Sequence, residues 1–209
     1  MTLFKKDLES ERILGEFLSA HYSKSNLNIE RISEIKLQLK GIDFLLTDKS
    51  NLVYKVDEKA QLHYLNKDLP TFALEIDYVK NDELKQGWLF DPNKATEIYA
   101  FVFSIHLVGK IAEVTKMEDI ESCDVVFVNR IRLINELSKY GIDYNLCNMK
   151  SELLRNNVGL KRIGYSPQFN FQISNHLSEK PVNLIVRRIF LETIGKTLLF
   201  PIIKKQTSS

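Results

Sequence analysis

Cysteine, glycine and proline are scarce in this sequence, and their scarcity excludes several classes of protein. The 209 residues include two cysteines, eight glycines and five prolines. Cys123 and Cys147 cannot form a disulfide framework and do not lie in a metal-binding C-x-x-C spacing, so we expect both to be buried, reduced thiols. With so little glycine and proline, and with no repeat of fixed period, linkers, solenoids and disordered stretches are disfavoured.

Long apolar runs and a strong net charge are also missing. The longest apolar stretches, such as residues 98–108, are too short and too interrupted to span a bilayer, and residues 1–11 are charged where a signal peptide would be apolar. We therefore expect a cytoplasmic protein with no membrane partner. The net charge of +2 neither indicates nor excludes nucleic acid. Residues 150–209 contain only three acidic residues among many basic ones, so this segment is a candidate for contact with phosphates.

The motifs of several common enzyme classes are absent as well. The four histidines, His21, His63, His106 and His176, show no mutual spacing that is typical of a zinc site or a catalytic triad. The sequence also lacks a G-x-S-x-G elbow and a glycine-rich phosphate-binding loop. Triad hydrolases, zinc enzymes and P-loop nucleotide hydrolases are therefore disfavoured.

Hydrophobic patterning predicts an α/β chain in which strands pair in sequence order. The predicted strands are rich in branched and aromatic residues and cover 29–39 (strand, or strand plus turn), 41–47, 52–64, 71–79, 98–108 and 123–128. A polar turn joins 41–47 to 52–64, which predicts a hairpin or meander. For 98–108 a continued helix stays open as an alternative, because a short apolar run suits both structures. Helices are predicted over 7–22, 93–97 and 132–140, and residues 182–200 also suit a helix that Pro201 would end.

Two acidic residues and a lysine lie on the two strands of the predicted hairpin: Asp43 on the first, Asp57 and Lys59 on the second. Because side chains alternate along a strand, Asp57, Lys59 and Gln61 share one face and Glu58 takes the other. Mg²⁺ prefers carboxylates and retains several waters, so one or two Asp side chains with a substrate phosphate make a typical site. Such a metal activates a water for attack on a phosphodiester, and a lysine orients that water and offsets the developing charge.

This combination resembles the PD-(D/E)XK, or restriction-endonuclease-like, nuclease superfamily. The pattern of that superfamily is an acid at the start of one strand, a gap, then Asp or Glu, any residue and Lys on the next strand. Asp43 takes the first position, Asp57 and Lys59 supply the second motif, and Gly41-Ile42 resembles the variant in which Gly-Ile replaces the proline. Gln61 resembles an extra polar active-site residue found in some members.

The resemblance covers roughly residues 11–79 and implies a restriction-endonuclease-like core, with a central mixed β-sheet flanked by helices. It also implies cleavage of nucleic acid, usually DNA, with Mg²⁺ held by Asp43 and Asp57 and with Mn²⁺ as a substitute. We assign residues 1–145 to this core and 146–209 to a C-terminal extension that packs on the core as a candidate substrate-binding segment. The oligomeric state is left open, with a homodimer among the options.

An acid on the first helix often completes the superfamily's site, and both Glu11 and Glu16 are available. The apolar face of the predicted helix centres near Leu14 and His21, which places Glu11 at its border and Glu16 nearer the solvated side. We choose Glu11 as the supporting catalytic residue and keep Glu16 as the alternative.

Ordinary structural roles compete with these assignments. Asp43 suits an exposed strand end, and Asp57 and Lys59 suit a solvated strand face whose charges pair for about 0.2–1 kcal/mol. Glu75 and Asp77 alternate on the following strand, where they either extend the acidic cluster or form the polar face of an edge strand. For the whole chain, the alternative to a nuclease is a catalytically inactive nucleic-acid-binding or protein-interaction module on the same fold.

Overall fold

The computed structural model describes residues 3–25 and 27–200, which form a mixed α/β structure. The helices are α1 (Leu3–Lys24), α2 (Ile35–Leu39), α3 (Arg130–Lys139), α4 (Tyr144–Asn156) and α5 (Arg188–Ile194). The strands are β1 (Asn28–Arg31), β2 (Phe44–Thr47), β3 (Val53–Ala60), β4 (Thr71–Lys80), β5 (Glu83–Gln86), β6 (Ile98–Leu107), β7 (Ile120–Asn129), β8 (Arg162–Gly164), β9 (Phe169–Ile173), β10 (Val182–Arg187) and β11 (Lys196–Phe200).

The chain divides into two compact units, each built from segments that are not contiguous in sequence. The first comprises the described residues of 1–69, 96–128 and 195–209, and the second comprises Pro70–Ala95 and Asn129–Ile194. β3 and β6 pair in parallel, which requires a long connection, and most of that connection belongs to the second unit. The boundary predicted between residues 145 and 146 falls within α4, inside the second unit.

The first unit contains a six-stranded sheet in the order β1-β2-β3-β6-β7-β11. β1, β2 and β3 are antiparallel neighbours, β3 and β6 are parallel, and β7 and β11 are antiparallel, so the sheet is mixed. The pairing of β2 with β3 confirms the predicted hairpin. β6 confirms the strand, rather than the helix, that was predicted over residues 98–108.

α1 covers one face of this sheet because its apolar residues recur at helical spacing along one side. Its buried residues pack in one core with residues of β2, β3 and β6, and this core includes Ile13, Leu14, Phe17, Leu18, Tyr22, Phe44, Val56, Ala100 and Val102. Burial of each large apolar side chain contributes about 1.5–3 kcal/mol, so this face anchors β2 and β3.

The second unit contains a five-stranded sheet in the order β5-β4-β10-β9-β8, with antiparallel pairing throughout. α4 packs against four of these strands and buries Cys147, Ser151 and Leu154. Asp143 caps α4 by accepting a hydrogen bond of 2.8 Å from the Leu146 N–H. The register between β4 and β10 shifts between Val182 and Asn183, which is typical of a β-bulge.

Several predictions differ from the structure. The strands do not all pair in sequence order, because β3 pairs with β6 while β4 belongs to the five-stranded sheet. The strand predicted over 52–64 ends at Ala60, and Leu62–Tyr64 forms a 3-10 turn.

Residues 29–39 comprise the end of β1 and the short helix α2, where a strand or a strand plus turn was predicted. Residues 182–200 form β10, α5 and β11 instead of one helix, because β10 and β11 pair with strands of the two sheets. The helix predicted over 93–97 is wrong, because Asp91 Oδ1 accepts hydrogen bonds from both nitrogens of Asn93 and closes a turn. Both cysteines are free and buried, as predicted. Across residues 3–25 and 27–200, the helices are too short or too polar to cross a membrane.

Candidate functional site

The pairing of β2 with β3 brings Asp43 next to Asp57. Phe44 pairs with Val56 in the antiparallel ladder, so the residue before Phe44 meets the residue after Val56. The Asp43 N–H donates to the Val56 carbonyl at 2.8 Å, which fixes the beginning of β2. Gly41, two residues earlier, has φ 74°, a left-handed conformation that favours glycine and turns the chain into the strand.

A hydrogen bond restrains the Asp43 carboxylate, and its surroundings raise its pKa. Its Oδ2 accepts a hydrogen bond of 2.6 Å from the backbone N–H of Glu58. Burial, and next the negative charge of Asp57, raise the pKa of Asp43 to about 7, although the Glu58 N–H and the charge of Lys59 act in the opposite direction. Asp43 is therefore poised between its protonated and ionised forms near neutral pH.

Asp57 is almost fully buried, with 2% of its side chain exposed. Its Oδ1 lies 2.7 Å from Nζ of Lys59, a side chain that is 27% exposed. Its Oδ2 is buried and has no hydrogen-bond partner among the described residues. A buried acceptor left unsatisfied costs about 1–3 kcal/mol, and more when it is charged, so a further ligand at Oδ2 is energetically favourable.

Glu58 points to the face of β3 opposite Asp57, which confirms the predicted alternation. Its carboxylate accepts hydrogen bonds from the Tyr22 hydroxyl at 2.9 Å and from Nη1 of Arg31 at 2.8 Å. Tyr22 belongs to the core under α1, and burial raises the pKa of its phenol well above the usual value. The side chain of Glu58 therefore contributes to the core, while its backbone N–H holds Asp43.

Arg31 supports the site, although no sequence pattern indicates this role. Besides its ion pair with Glu58, Arg31 donates to Ser19 Oγ at 2.8 Å and to the Gly15 carbonyl at 2.9 Å, both on α1. Its guanidinium also lies over the ring of Phe44, 4.9 Å from the centroid. Arg31 and Glu58 are 27 positions apart, and no local periodicity reports such a contact.

Thr96 is a second residue that the sequence pattern did not reveal. Its side chain is buried, and its hydroxyl donates to the Gly41 carbonyl at 2.8 Å, across 55 positions of sequence. This bond ties the segment that leads into β6 to the turn that leads into Asp43. Tyr22, by contrast, can be recognised in the sequence as a core residue, because it continues the apolar stripe of α1.

Gln61 and Glu11 were predicted to support the group of Asp43, Asp57 and Lys59. Gln61 directly follows β3, is half-buried, and donates its backbone N–H to the Val102 carbonyl at 3.3 Å. Glu11 is exposed on α1, the helix that packs on the Glu58 face of the sheet. Glu16, the alternative acid, forms an exposed ion pair with Arg12. The roles given to Gln61 and Glu11 stay predictions.

Glu75 and Asp77 do not form one acidic face, because of the bulge between β4 and β10. The register shift pairs Asp77 with Val182 and Glu75 with Asn183, and neighbouring residues of β10 point to opposite faces. Asp77 is buried and forms an ion pair with Arg155 of α4. Asp77 therefore neutralises Arg155 within the second unit.

Over the part of the chain that the structure describes, no group of three or more His, Cys, Asp and Glu side chains has a geometry that could hold a metal ion. Mg²⁺ needs fewer protein ligands than three, because it is commonly held by one or two carboxylates and completes its coordination shell with waters and substrate phosphates. The adjoining carboxylates of Asp43 and Asp57 provide this number of protein ligands.

A scan against models of known protein families, a search of curated proteins and a search of solved structures each found no match to this chain. The geometry of Asp43, Asp57 and Lys59 is therefore the basis for inferring a function.

Proposed function

We propose that this chain is a divalent-metal-dependent nuclease that hydrolyses phosphodiester bonds in DNA, on a restriction-endonuclease-like core. The observation that carries the proposal is the adjoining pair of carboxylates, Asp43 and Asp57, with Lys59 bound to one of them. Two neighbouring buried acids resist simultaneous ionisation, and the raised pKa of Asp43 reflects both burial and this repulsion. A divalent cation between them would remove the repulsion.

The donors at this site suit Mg²⁺. Oδ2 of Asp57, which lacks a hydrogen-bond partner within the described chain, offers one oxygen, and the carboxylate of Asp43 offers another. Waters and substrate phosphate oxygens would fill the remaining positions, as is usual for Mg²⁺. Mn²⁺ accepts the same oxygen donors and is expected to substitute.

Each residue then has a chemical role. The metal, when bound, polarises the scissile phosphoryl group and lowers the pKa of a coordinated water. Lys59, oriented by its 2.7 Å contact with Asp57, donates hydrogen bonds to the attacking water or the phosphate. Its positive charge offsets the negative charge that develops in the transition state. Gln61 and Glu11 are proposed as supporting polar residues.

Rigid strands favour this role because catalysis needs its groups held within a fraction of an ångström. The Glu58 N–H limits the movement of Asp43, and the ion pair with Lys59 limits the movement of Asp57. Both contacts come from β3, a strand anchored in the core by Val56. The carboxylates are therefore arranged before any ligand binds.

A catalytically inactive nucleic-acid-binding or protein-interaction module on the same fold is the second candidate. One observation favours this candidate: in residues 3–25 and 27–200, no three His, Cys, Asp or Glu side chains form a group that could hold a metal ion. Against it, a module without catalysis gains nothing from the unsatisfied Oδ2 of buried Asp57, which lowers stability. We therefore prefer the enzyme.

Cleavage assays with and without chelator test the proposal. The purified chain is incubated with supercoiled, linear and single-stranded DNA in MgCl₂ or MnCl₂, and EDTA is then added. We expect nicking or degradation that stops with EDTA and weakens with salt, as phosphate contacts are screened. Activity that persists in excess EDTA would refute the metal mechanism, and no cleavage of any substrate would favour the binding module.

A further inference from the structure

The second unit contains a long segment without acidic residues. No Asp or Glu occurs between Glu152 and Glu179, and this interval forms the end of α4 followed by β8 and β9. β8 is at the edge of the five-stranded sheet. Lys161 and Arg162 are exposed on this edge, and neither side chain has a hydrogen-bond or ion-pair partner in the described chain. The edge therefore presents uncompensated positive charge.

The strand register aligns polar side chains on one face of this sheet. Arg162 on β8 is directly opposite Gln172 on β9, and Gln172 is directly opposite Asn183 on β10. Directly opposed residues in antiparallel strands point to the same face. Arg187 follows Asn183 by four positions on β10, so alternation places it on this face too. We call Arg162, Gln172, Asn183 and Arg187 the polar row. Glu75 on β4, directly opposite Asn183, adds one acidic residue beside it, against the two arginines of the row.

The other face of the same strands is apolar and packed. Phe171 and Leu184, which alternate with members of the polar row and pair with each other, are fully buried. Asp77 is opposite Val182 on this apolar face, and its ion pair with Arg155 places α4 there. The polar row is therefore on the opposite face, carried by strands that are fixed in a core.

The polar row retains unused hydrogen-bonding capacity. The side chains of Arg162 and Gln172 are exposed, and neither has a partner within the described residues. Arg187 is also exposed. Its Nε donates a hydrogen bond of 3.3 Å to the Pro167 carbonyl, which orients the guanidinium. Asn170, two residues before Gln172 on β9, has a buried Oδ1 that no described group satisfies. Such an arrangement favours a ligand that both accepts and donates hydrogen bonds.

We propose that the polar row is a binding surface for duplex DNA. Arg162 and Arg187 have the charge to contact phosphates, and Gln172 has the amide that pairs with base edges. The major groove of B-DNA admits a two-stranded β-ribbon, and β8 with β9 is such a ribbon at a sheet edge. The major groove of A-form RNA is too narrow for side chains to read. This inference rests on the proposed function in taking DNA as the substrate.

Binding measured without cleavage tests this surface separately from the active site. The full chain is titrated into a fluorescently labelled DNA duplex in EDTA, and anisotropy is followed over a series of salt concentrations. Arg162→Ala with Arg187→Ala should reduce the slope of log affinity against log salt by about two, because two phosphate contacts are lost. Gln172→Ala should weaken binding by about tenfold without changing the slope.

A matched control comes from the same unit. Arg132 and Asn135 are an exposed arginine and an exposed amide on α3, so Arg132→Ala with Asn135→Ala removes one positive charge and one amide away from the polar row. This variant should bind DNA like the unsubstituted chain. Circular dichroism establishes that every variant is folded.

The outcomes separate this inference from the proposed function. If the double arginine variant keeps its affinity and salt slope, if the control weakens equally, or if the unsubstituted chain does not bind DNA, the polar row is not a DNA surface. If binding depends on the polar row but no DNA is cleaved in Mg²⁺, the surface stands and the nuclease proposal fails. Cleavage by a chain whose DNA binding ignores the polar row would overturn the surface and leave the nuclease.

Discussion

The backbone N–H of Glu58 donates a 2.6 Å hydrogen bond to Oδ2 of Asp43, while the Glu58 carboxylate accepts a bond from Tyr22 on the other face of the sheet. One residue therefore supports the candidate site with its backbone and the core with its side chain. Because Asp57 precedes it and points the other way, substitutions at positions 57 and 58 should have separable effects.

The raised pKa of Asp43 predicts how stability depends on pH in the absence of metal. The folded chain holds the Asp43 proton up to about pH 7, whereas the unfolded chain releases it near the ordinary pKa of 3.8. The contribution of Asp43 to stability is therefore complete below pH 3.8 and is lost as the pH rises through about 7.

Asp43→Asn removes this titration and provides the comparison. The free energy of unfolding of the unsubstituted chain minus that of the variant should fall between about pH 4 and about pH 8, because carboxylates that do not interact with Asp43 contribute equally to both proteins. Urea unfolding in EDTA measures both values. A difference that stays constant over this range would show that the Asp43 pKa is not raised.

Divalent metal should stabilise the folded chain through the carboxylate pair. A ligand that binds only the folded state at a hundred times its dissociation constant adds about 2.7 kcal/mol to the free energy of unfolding. The midpoint of thermal unfolding should therefore rise during a MgCl₂ titration of the unsubstituted chain. The midpoint of the Asp57→Asn variant should hardly change. Glu30→Gln, which removes an exposed acid on β1, is the control. Equal shifts in all three proteins would mean that the metal binds elsewhere.

Arg31→Met should destabilise the chain much more than Arg12→Met. Arg31 pairs with Glu58, whose side chain is 11% exposed, so its loss leaves a largely buried carboxylate without its cation. The expected loss in unfolding free energy is on the order of 3 kcal/mol. Arg12 pairs with Glu9 and Glu16 on the exposed side of α1, where water replaces it. Comparable urea unfolding curves for the two variants would contradict the supporting role of Arg31.

Lys59→Met should separate catalysis from metal binding. Loss of one preorganised donor that acts on the transition state lowers turnover by about 10²–10³-fold. The stabilisation by MgCl₂ should persist, because both carboxylates remain. Lys49→Met, in the exposed turn between β2 and β3, is the matched control and should cleave DNA at the normal rate. Undiminished cleavage by Lys59→Met would remove the lysine from the mechanism.

Local periodicity allowed the parts of the fold near the site to be predicted. The polar turn between β2 and β3 predicted the hairpin, and strand alternation predicted that Asp57 and Glu58 point to opposite faces. Both features depend on residues only a few positions apart, where the pleat and turn chemistry determine the geometry. The apolar face of α1 could be predicted for the same reason, because its residues are three or four positions apart.

Features that depend on distant contacts could not be predicted. The bulge that separates Glu75 from Asp77 depends on how β10 meets β4, more than 100 positions away in sequence. The pairing of Arg31 with Glu58 and the division into two interleaved units also depend on tertiary packing. At Asp91-Pro92 the sequence suited both a helix cap and a turn, because Asp caps either one, and tertiary context selected the turn.

A comparison of Asp57→Asn with Glu58→Gln tests the central claim most directly. The measurement is the initial rate of nicking of supercoiled DNA in excess MgCl₂, on variants whose circular dichroism matches the unsubstituted chain. Asp57→Asn should abolish nicking, because loss of a metal ligand raises the barrier by roughly several kcal/mol. Glu58→Gln should retain most of the rate, because it keeps the N–H that holds Asp43 and an oxygen for Tyr22. A folded Glu58→Gln variant as inactive as Asp57→Asn would contradict the assignment of the site to the Asp57 face.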